Sequence, residues 1–117
     1  MYQKLEIWQE SIKLIKEVYS IVETLPKSEE YNLKSQIKRA VVSVALNIAE
    51  GKCRNSAKEF AHFLNISVAS LNEVDACVLI CQELDYIDNY EELHEKCTIL
   101  SKRISALKSK LLKGLIK

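Results

Sequence analysis

Glycine and proline are nearly missing from this chain, which has two of the first and one of the second in 117 residues. Sheet-rich domains need a turn residue every few positions, so this scarcity excludes a sandwich or barrel and favours few, long elements. Aromatic side chains make up only 7%, and they do not interleave with basic residues as on a single-strand stacking platform. No run of ~18 uncharged apolar residues occurs, so no segment reads as a membrane span. The opening MYQKLEIWQE carries acids and lacks an unbroken apolar stretch, unlike a signal peptide. Gly-rich phosphate loops, His-Glu-x-x-His and Gly-x-Ser-x-Gly elements are missing as well. No catalytic residue, cofactor or small-molecule substrate is therefore expected.

What the chain does contain is helix-forming sequence, 48% apolar and 28% charged, rich in Leu, Ile, Lys and Glu. The expected fold is all-α: one domain over 1–117, an antiparallel up-down-up-down four-helix bundle with helices near 3–24, 28–50, 56–85 and 89–114. In helix 1, Leu5, Trp8, Ile12, Ile15, Tyr19 and Val22 alternate steps of three and four, the spacing of a bundle seam. Ile7, Leu14, Val18, Ile21 and Leu25 form a second stripe beside it. Two readings stand for that stripe: a subunit interface made by Ile7, Leu14, Val18 and Ile21, or a thick core. Pro26 ends helix 1, and Ser28 with Glu29 and Glu30 is a candidate start for helix 2. Gly51 suits the left-handed position that closes that helix. Ser56-Ala57-Lys58-Glu59 is a capping box opening helix 3. In helix 4 Tyr90, Leu93, Cys97, Leu100, Ile104, Leu107 and Leu111 repeat the seam spacing, and Gly114 marks its end.

Cys53, Cys77, Cys81 and Cys97 are too sparse for a disulfide scaffold, and three of them fall inside apolar helical patterns. They read as reduced thiols of a cytoplasmic protein. Cys77, Cys81, His94 and Cys97 could converge across a helical hairpin as zinc ligands. The simpler reading is packed thiols and no metal.

The run Tyr31 to Gly51, YNLKSQIKRAVVSVALNIAEG, carries more than a generic bundle needs. With Arg54-Asn55-Ser56, Glu59-Phe60, Phe63-Leu64, Leu5, Trp8 and Leu25-Pro26, it resembles the four-helix bundle family encoded in intervening sequences of bacterial 23S ribosomal RNA genes. The accessory variability determinant of diversity-generating retroelements is similar. The resemblance covers nearly the whole chain, and Asn-Ile-Ala-Glu-Gly followed by Arg is its most specific part. Ala69 departs from the glycine common at that position. The resemblance implies a bacterial homopentamer, and its retroelement relatives bind nucleic acid and a reverse transcriptase through a basic surface. The intervening-sequence branch carries no settled activity.

The net charge of +1 conceals a segregation. Residues 59–95 contain Glu59, Glu73, Asp75, Glu83, Asp85, Asp88, Glu91, Glu92 and Glu95 without any Lys or Arg. Residues 96–117 contain Lys96, Lys102, Arg103, Lys108, Lys110, Lys113 and Lys117 without any acid. Lys96, Arg103, Lys110 and Lys117 recur at heptad spacing as one ridge. With Lys52, Arg54 and Lys113 they are the candidate RNA or DNA contacts, the alternative being a solvated face paired with neighbouring acids. Asn47, Glu50, Gly51 and Arg54 are read as a structural motif that pins the helix 2 exit against another helix or subunit. A partner protein such as a polymerase is the rival expectation.

Overall fold

The computed structural model describes residues 1–114. Four helices make the fold: α1 Glu6–Glu23, α2 Leu33–Lys52, α3 Ala57–Glu83 and α4 Tyr90–Leu112, with short 3₁₀ turns at Tyr2–Lys4 and Lys27–Glu29. Cross-links between helices fix their directions. Gln36 and Ser43 on α2 bond Glu73 and Ser70 on α3, so numbers rise on one helix as they fall on the other. Asn65 and Asp75 on α3 meet Lys108 and His94 on α4 in the same antiparallel sense. Glu10 and Glu17 on α1 meet Arg103 and Lys96 on α4. The result is an up-down bundle about 46 Å long.

Burial separates the two readings of helix 1. Ile7, Leu14, Val18 and Ile21 lie inside the bundle, with Val18 fully buried, so the stripe is core and not an oligomer interface. They share one line with Ser11, Val22 and Leu25, while Leu5, Trp8 and Ile15 pack half-buried at its edge. A serine broke the apolar pattern of that line. Ser11 is tolerated at 0% exposure because its hydroxyl donates to the Ile7 carbonyl at 2.7 Å.

The helix ends also differ from expectation. Residues 27–29 form a 3₁₀ turn rather than the start of α2, which begins after Asn32. Gly51 does not close α2: it is buried inside the last turn, which continues to Lys52. At the end of α3 the left-handed position falls to Asp85, φ 63°. There the Asp85 N–H donates to Gln82 and the Tyr86 N–H to Cys81, both at 2.9 Å, the paired bonds of a Schellman closure. Gln82 then reaches over, and its Oε1 accepts from the Tyr90 N–H at 3.0 Å, satisfying a free donor at the start of α4. Gly114, φ 73°, follows α4 as expected.

By length and composition α3 is long and apolar enough to cross a membrane. Glu73 and Asp75 sit at its middle, however, and one face supplies Leu64, Leu71, Val74 and Val78 to the core. Its opposite line, Ile66, Ala69, Glu73, Ala76 and Ile80, with Leu84 just past its end, is exposed, Ile80 at 46% and Leu84 at 49%.

Candidate nucleic-acid interface

The turn between α2 and α3 is built by close packing. A Cβ on Gly51 would stand 2.8 Å from Phe60 Cδ1 and 2.9 Å from Phe63 Cβ, so the lack of a side chain lets α2 lie directly on the first turns of α3. Ser56 caps α3: its Oγ accepts from the Glu59 N–H at 3.1 Å and donates to the Glu59 carboxylate at 3.4 Å. Two cations are thereby set on aromatic faces. The Arg54 guanidinium lies 4.8 Å from the Phe63 ring centre, and Lys52 Nζ 6.0 Å from that of Phe60. Because α2 stays helical through Gly51, Arg54 also reaches Glu50, Nη2 to Oε2 3.0 Å.

The end of α4 arrives at the same place. Gly114 shares a cleft of about 610 Å³ with Lys52, Arg54, Asn55, Ser56 and Phe60. Lys58 and His62 border an adjoining cleft of about 470 Å³ beside Arg54 and Phe63. Lys4, Lys52, Arg54, Lys58, Lys110 and Lys113 therefore gather at one end of the bundle, against Glu6, Glu50 and Glu59. The other end carries Glu23, Glu29, Glu30, Glu83, Asp85, Asp88, Glu91 and Glu92, with Lys27 and Lys34. The near-neutral chain folds into a rod with a basic pole and an acidic pole.

The heptad ridge does not survive as a basic stripe. Lys96 pairs with Glu17 and approaches Glu92 at 3.9 Å, while Arg103 pairs with Glu10. Glu10 and Glu17 are themselves one heptad apart, so α1 sets an acid opposite each of these cations. The Glu17 bond leads the causes that raise the Lys96 pKa above its ordinary value. Lys110, further along, belongs to the pole, and Lys117 lies outside the described residues. Within the chain Asn47 bonds its own helix and not another: its Nδ2 donates to the Ser43 carbonyl at 2.8 Å and to Ser43 Oγ at 2.9 Å. The contact to α3 is made by Ser43, whose Oγ meets Ser70 Oγ at 2.9 Å, and by Ser67, which donates to the Val44 carbonyl at 2.7 Å.

One cluster was not foreseen. Asp75 Oδ1 meets His94 Nδ1 at 2.7 Å, and Oδ2 accepts from the Tyr90 hydroxyl at 2.9 Å. The Asp75 hydrogen bond, then its charge, raises the His94 pKa above 6.5, while burial followed by that bond pushes Tyr90 up to about 12. His94 is thus turned to Asp75 rather than to the cysteines. Among the described residues no three His, Cys, Asp or Glu groups stand together as metal ligands. Burial raises Cys81 to about 11 and Cys97 to about 12, so these thiols hold their protons.

A four-helix bundle of separated charge, with an Arg-aromatic turn at its basic end, defines the class of protein. The chain belongs to the 23S rRNA-intervening sequence protein family, whose model matches residues 3–106. A similar solved structure is a protein of unknown function from the S23 ribosomal protein family of Bacteroides thetaiotaomicron: TM-score 0.80, 22% identity, covering 87% of this chain and 97% of that one. That likeness is one of fold. No curated protein sequence matches the chain.

Proposed function

We propose that this protein is a non-enzymatic, self-assembling bundle that contacts RNA or DNA through its basic pole. The observation that carries the reading is the gathering of Lys52, Arg54 and Lys58 around clefts lined by Phe60 and Phe63, with Lys113 next to Gly114 at the same end. Cations attract the phosphate backbone irrespective of sequence, and a guanidinium already seated on a ring offers a flat surface on which a base can stack. Self-assembly draws support from a different surface than helix 1. The exposed line Ile66, Ala69, Ala76, Ile80 and Leu84, broken once by Glu73, leaves apolar side chains uncovered on one chain, Ile80 and Leu84 most of all. A cyclic assembly, five-fold by the resemblance, sets several basic poles around one ring and multiplies weak contacts. The non-enzymatic part is supported by the chemistry of the side chains: burial raises the pKa of the Cys81 and Cys97 thiols, and the one hydroxyl bonded to the Asp75–His94 pair, that of Tyr90, has its pKa pushed up to about 12, so it is a weak nucleophile.

The test is fluorescence anisotropy with labelled RNA and DNA at ~50 mM and ~200 mM salt, on protein of mass measured by sedimentation. The expected result is binding by an oligomer that weakens steeply as salt rises. Ile80→Lys with Leu84→Lys should lower the mass to that of one chain while leaving helicity unchanged. Absence of binding at low salt contradicts the nucleic-acid reading. An oligomer that binds nothing would favour the rival reading of a protein-assembly module.

A further inference from the structure

Between α3 and α4, away from the pole, lies a cleft of about 270 Å³ floored by Leu71 and Cys97. Its rim carries Asn72, His94, Thr98, Ser101 and Lys102 beside Asp75. Both Asp75 oxygens are occupied, Oδ1 by His94 and Oδ2 by Tyr90, so the one acid of the cleft is consumed by internal bonds. The remaining polar groups can all donate: the Lys102 ammonium, the Asn72 amide, two hydroxyls and, when the ring is charged, the far Nε2 of His94. Among the described residues no acid stands within ion-pair distance of Lys102. Further along the same α3–α4 edge Lys108 Nζ donates to Asn65 Oδ1 at 2.8 Å. Lys110 and Lys113 follow at the pole. From His94 to Lys108 α4 runs about 21 Å, so cleft and pole are joined by one donor-lined edge.

We propose that this cleft binds one backbone phosphate of the nucleic-acid strand held at the basic pole, with His94 and Lys102 as its charged donors. The inference rests on the nucleic-acid reading above and adds a path and a pH dependence to it. A phosphate offers only acceptor oxygens, which suits a rim of donors. Asp75 from α3 keeps a proton on Nδ1, so His94 has a second N–H at Nε2 only as the imidazolium. On deprotonation Nε2 becomes an acceptor and faces the phosphate with a lone pair. The charged and titratable groups around His94 are Asp75 from α3, Tyr90 and Glu91 from α4, and Lys102 along the cleft. Asp75 and Glu91 both favour the charged ring. Affinity is therefore full below the raised His94 pKa and falls as pH rises through it.

The experiment measures anisotropy of a labelled single-stranded RNA from pH ~6 to ~8.5 at ~50 mM salt, for wild type, His94→Asn and Lys102→Ala. Asparagine keeps an amide near the Nδ1 position for Asp75 while removing the Nε2 donor and the charge. Wild type should lose about tenfold in affinity as pH rises, the scale of one charge-assisted contact. His94→Asn should start about tenfold weaker and show no such fall, with unchanged helicity. Lys102→Ala should bind more weakly at every pH but keep the fall. Inorganic phosphate alone should perturb the His94 ring resonances only at millimolar concentration. Wild-type affinity in His94→Asn, with the pH response unchanged, overturns the cleft site while the pole reading stands. Inorganic phosphate binding as tightly as the RNA also overturns it, since the cleft would then serve free phosphate. Failure of wild type to bind RNA at any pH removes the pole reading and this one with it.

Discussion

Replacing Gly51 with alanine sets two effects of known sign against each other. In an exposed helix interior the change gains about 1 kcal/mol, and here α2 is helical through the site. The new methyl meets Phe60 Cδ1 at 2.8 Å, Phe63 Cβ at 2.9 Å and the Phe60 carbonyl oxygen at 3.2 Å. The Phe60 ring can turn aside, at the expense of its buried packing. Phe63 Cβ and the carbonyl are fixed to the α3 backbone, so relief requires the first turns of α3 to retreat. Moving a 2.9 Å contact out to an ordinary ~3.5 Å means a shift of about 0.6 Å. Overpacking of this kind costs about 1–3 kcal/mol, so the net effect runs from about zero to a loss of about 2 kcal/mol, and the melting temperature falls by up to about 8 °C. Thermal melting followed by far-ultraviolet circular dichroism reads it directly. The same retreat moves Phe60 and Phe63 from Lys52 and Arg54, so nucleic-acid affinity should fall alongside. A melting temperature raised by about 4 °C would mean that only helix propensity acts there, and would refute the close approach of α2 and α3.

Other perturbations test separate parts of the structure. Lys96→Ala with Arg103→Ala removes two exposed ion pairs to α1 and should cost no more than about 1 kcal/mol, a difference that high salt erases in a denaturant titration. Asp85→Gly relieves a left-handed residue and should raise stability by about 0.5–1 kcal/mol, whereas Asp85→Val should lower it, both read from denaturation midpoints. Because Asp75 raises the His94 pKa, the pair's contribution to stability is fully present below the unfolded histidine value of about 6.5 and is lost as pH rises through the folded one. Melting temperatures across pH ~5.5–8.5 should show that decline, and Asp75→Asn should flatten it.

Much of this fold was legible because bundles announce themselves by period. Four long patterns, one proline, the Ser56–Glu59 box and Gly114 sufficed to place four helices and most of their ends. The buried line of α1 was read as one of two stripes, but Ser11 was not placed on it, since its burial depends on a bond to the Ile7 carbonyl that composition does not reveal. Gly51 was assigned the common role of a terminal glycine; its role in packing appears only when Phe60 and Phe63 are brought against it. The pairing of the basic ridge was not legible for a related reason. Glu10 and Glu17 repeat the same heptad as Arg103 and Lys96, but their pairing depends on which helices are neighbours. His94 looked like a companion of cysteines on the same seam. Its geometry turns it one position aside, to Asp75 on α3.

Charge at the end of the bundle, rather than the Lys96–Arg103 ridge paired with α1, is what we propose holds nucleic acid. The most direct test is the slope of log affinity against log salt for a single-stranded oligonucleotide in three proteins: wild type, Lys52→Ala/Lys58→Ala/Lys113→Ala, and Lys96→Ala/Arg103→Ala. Each lost phosphate contact lowers the slope by about 0.7 on a single strand. The pole variant should therefore be shallower than wild type by about 2, while the flank variant keeps the wild-type slope and affinity. A flank variant that loses the slope, with an unaltered pole variant, would contradict the account.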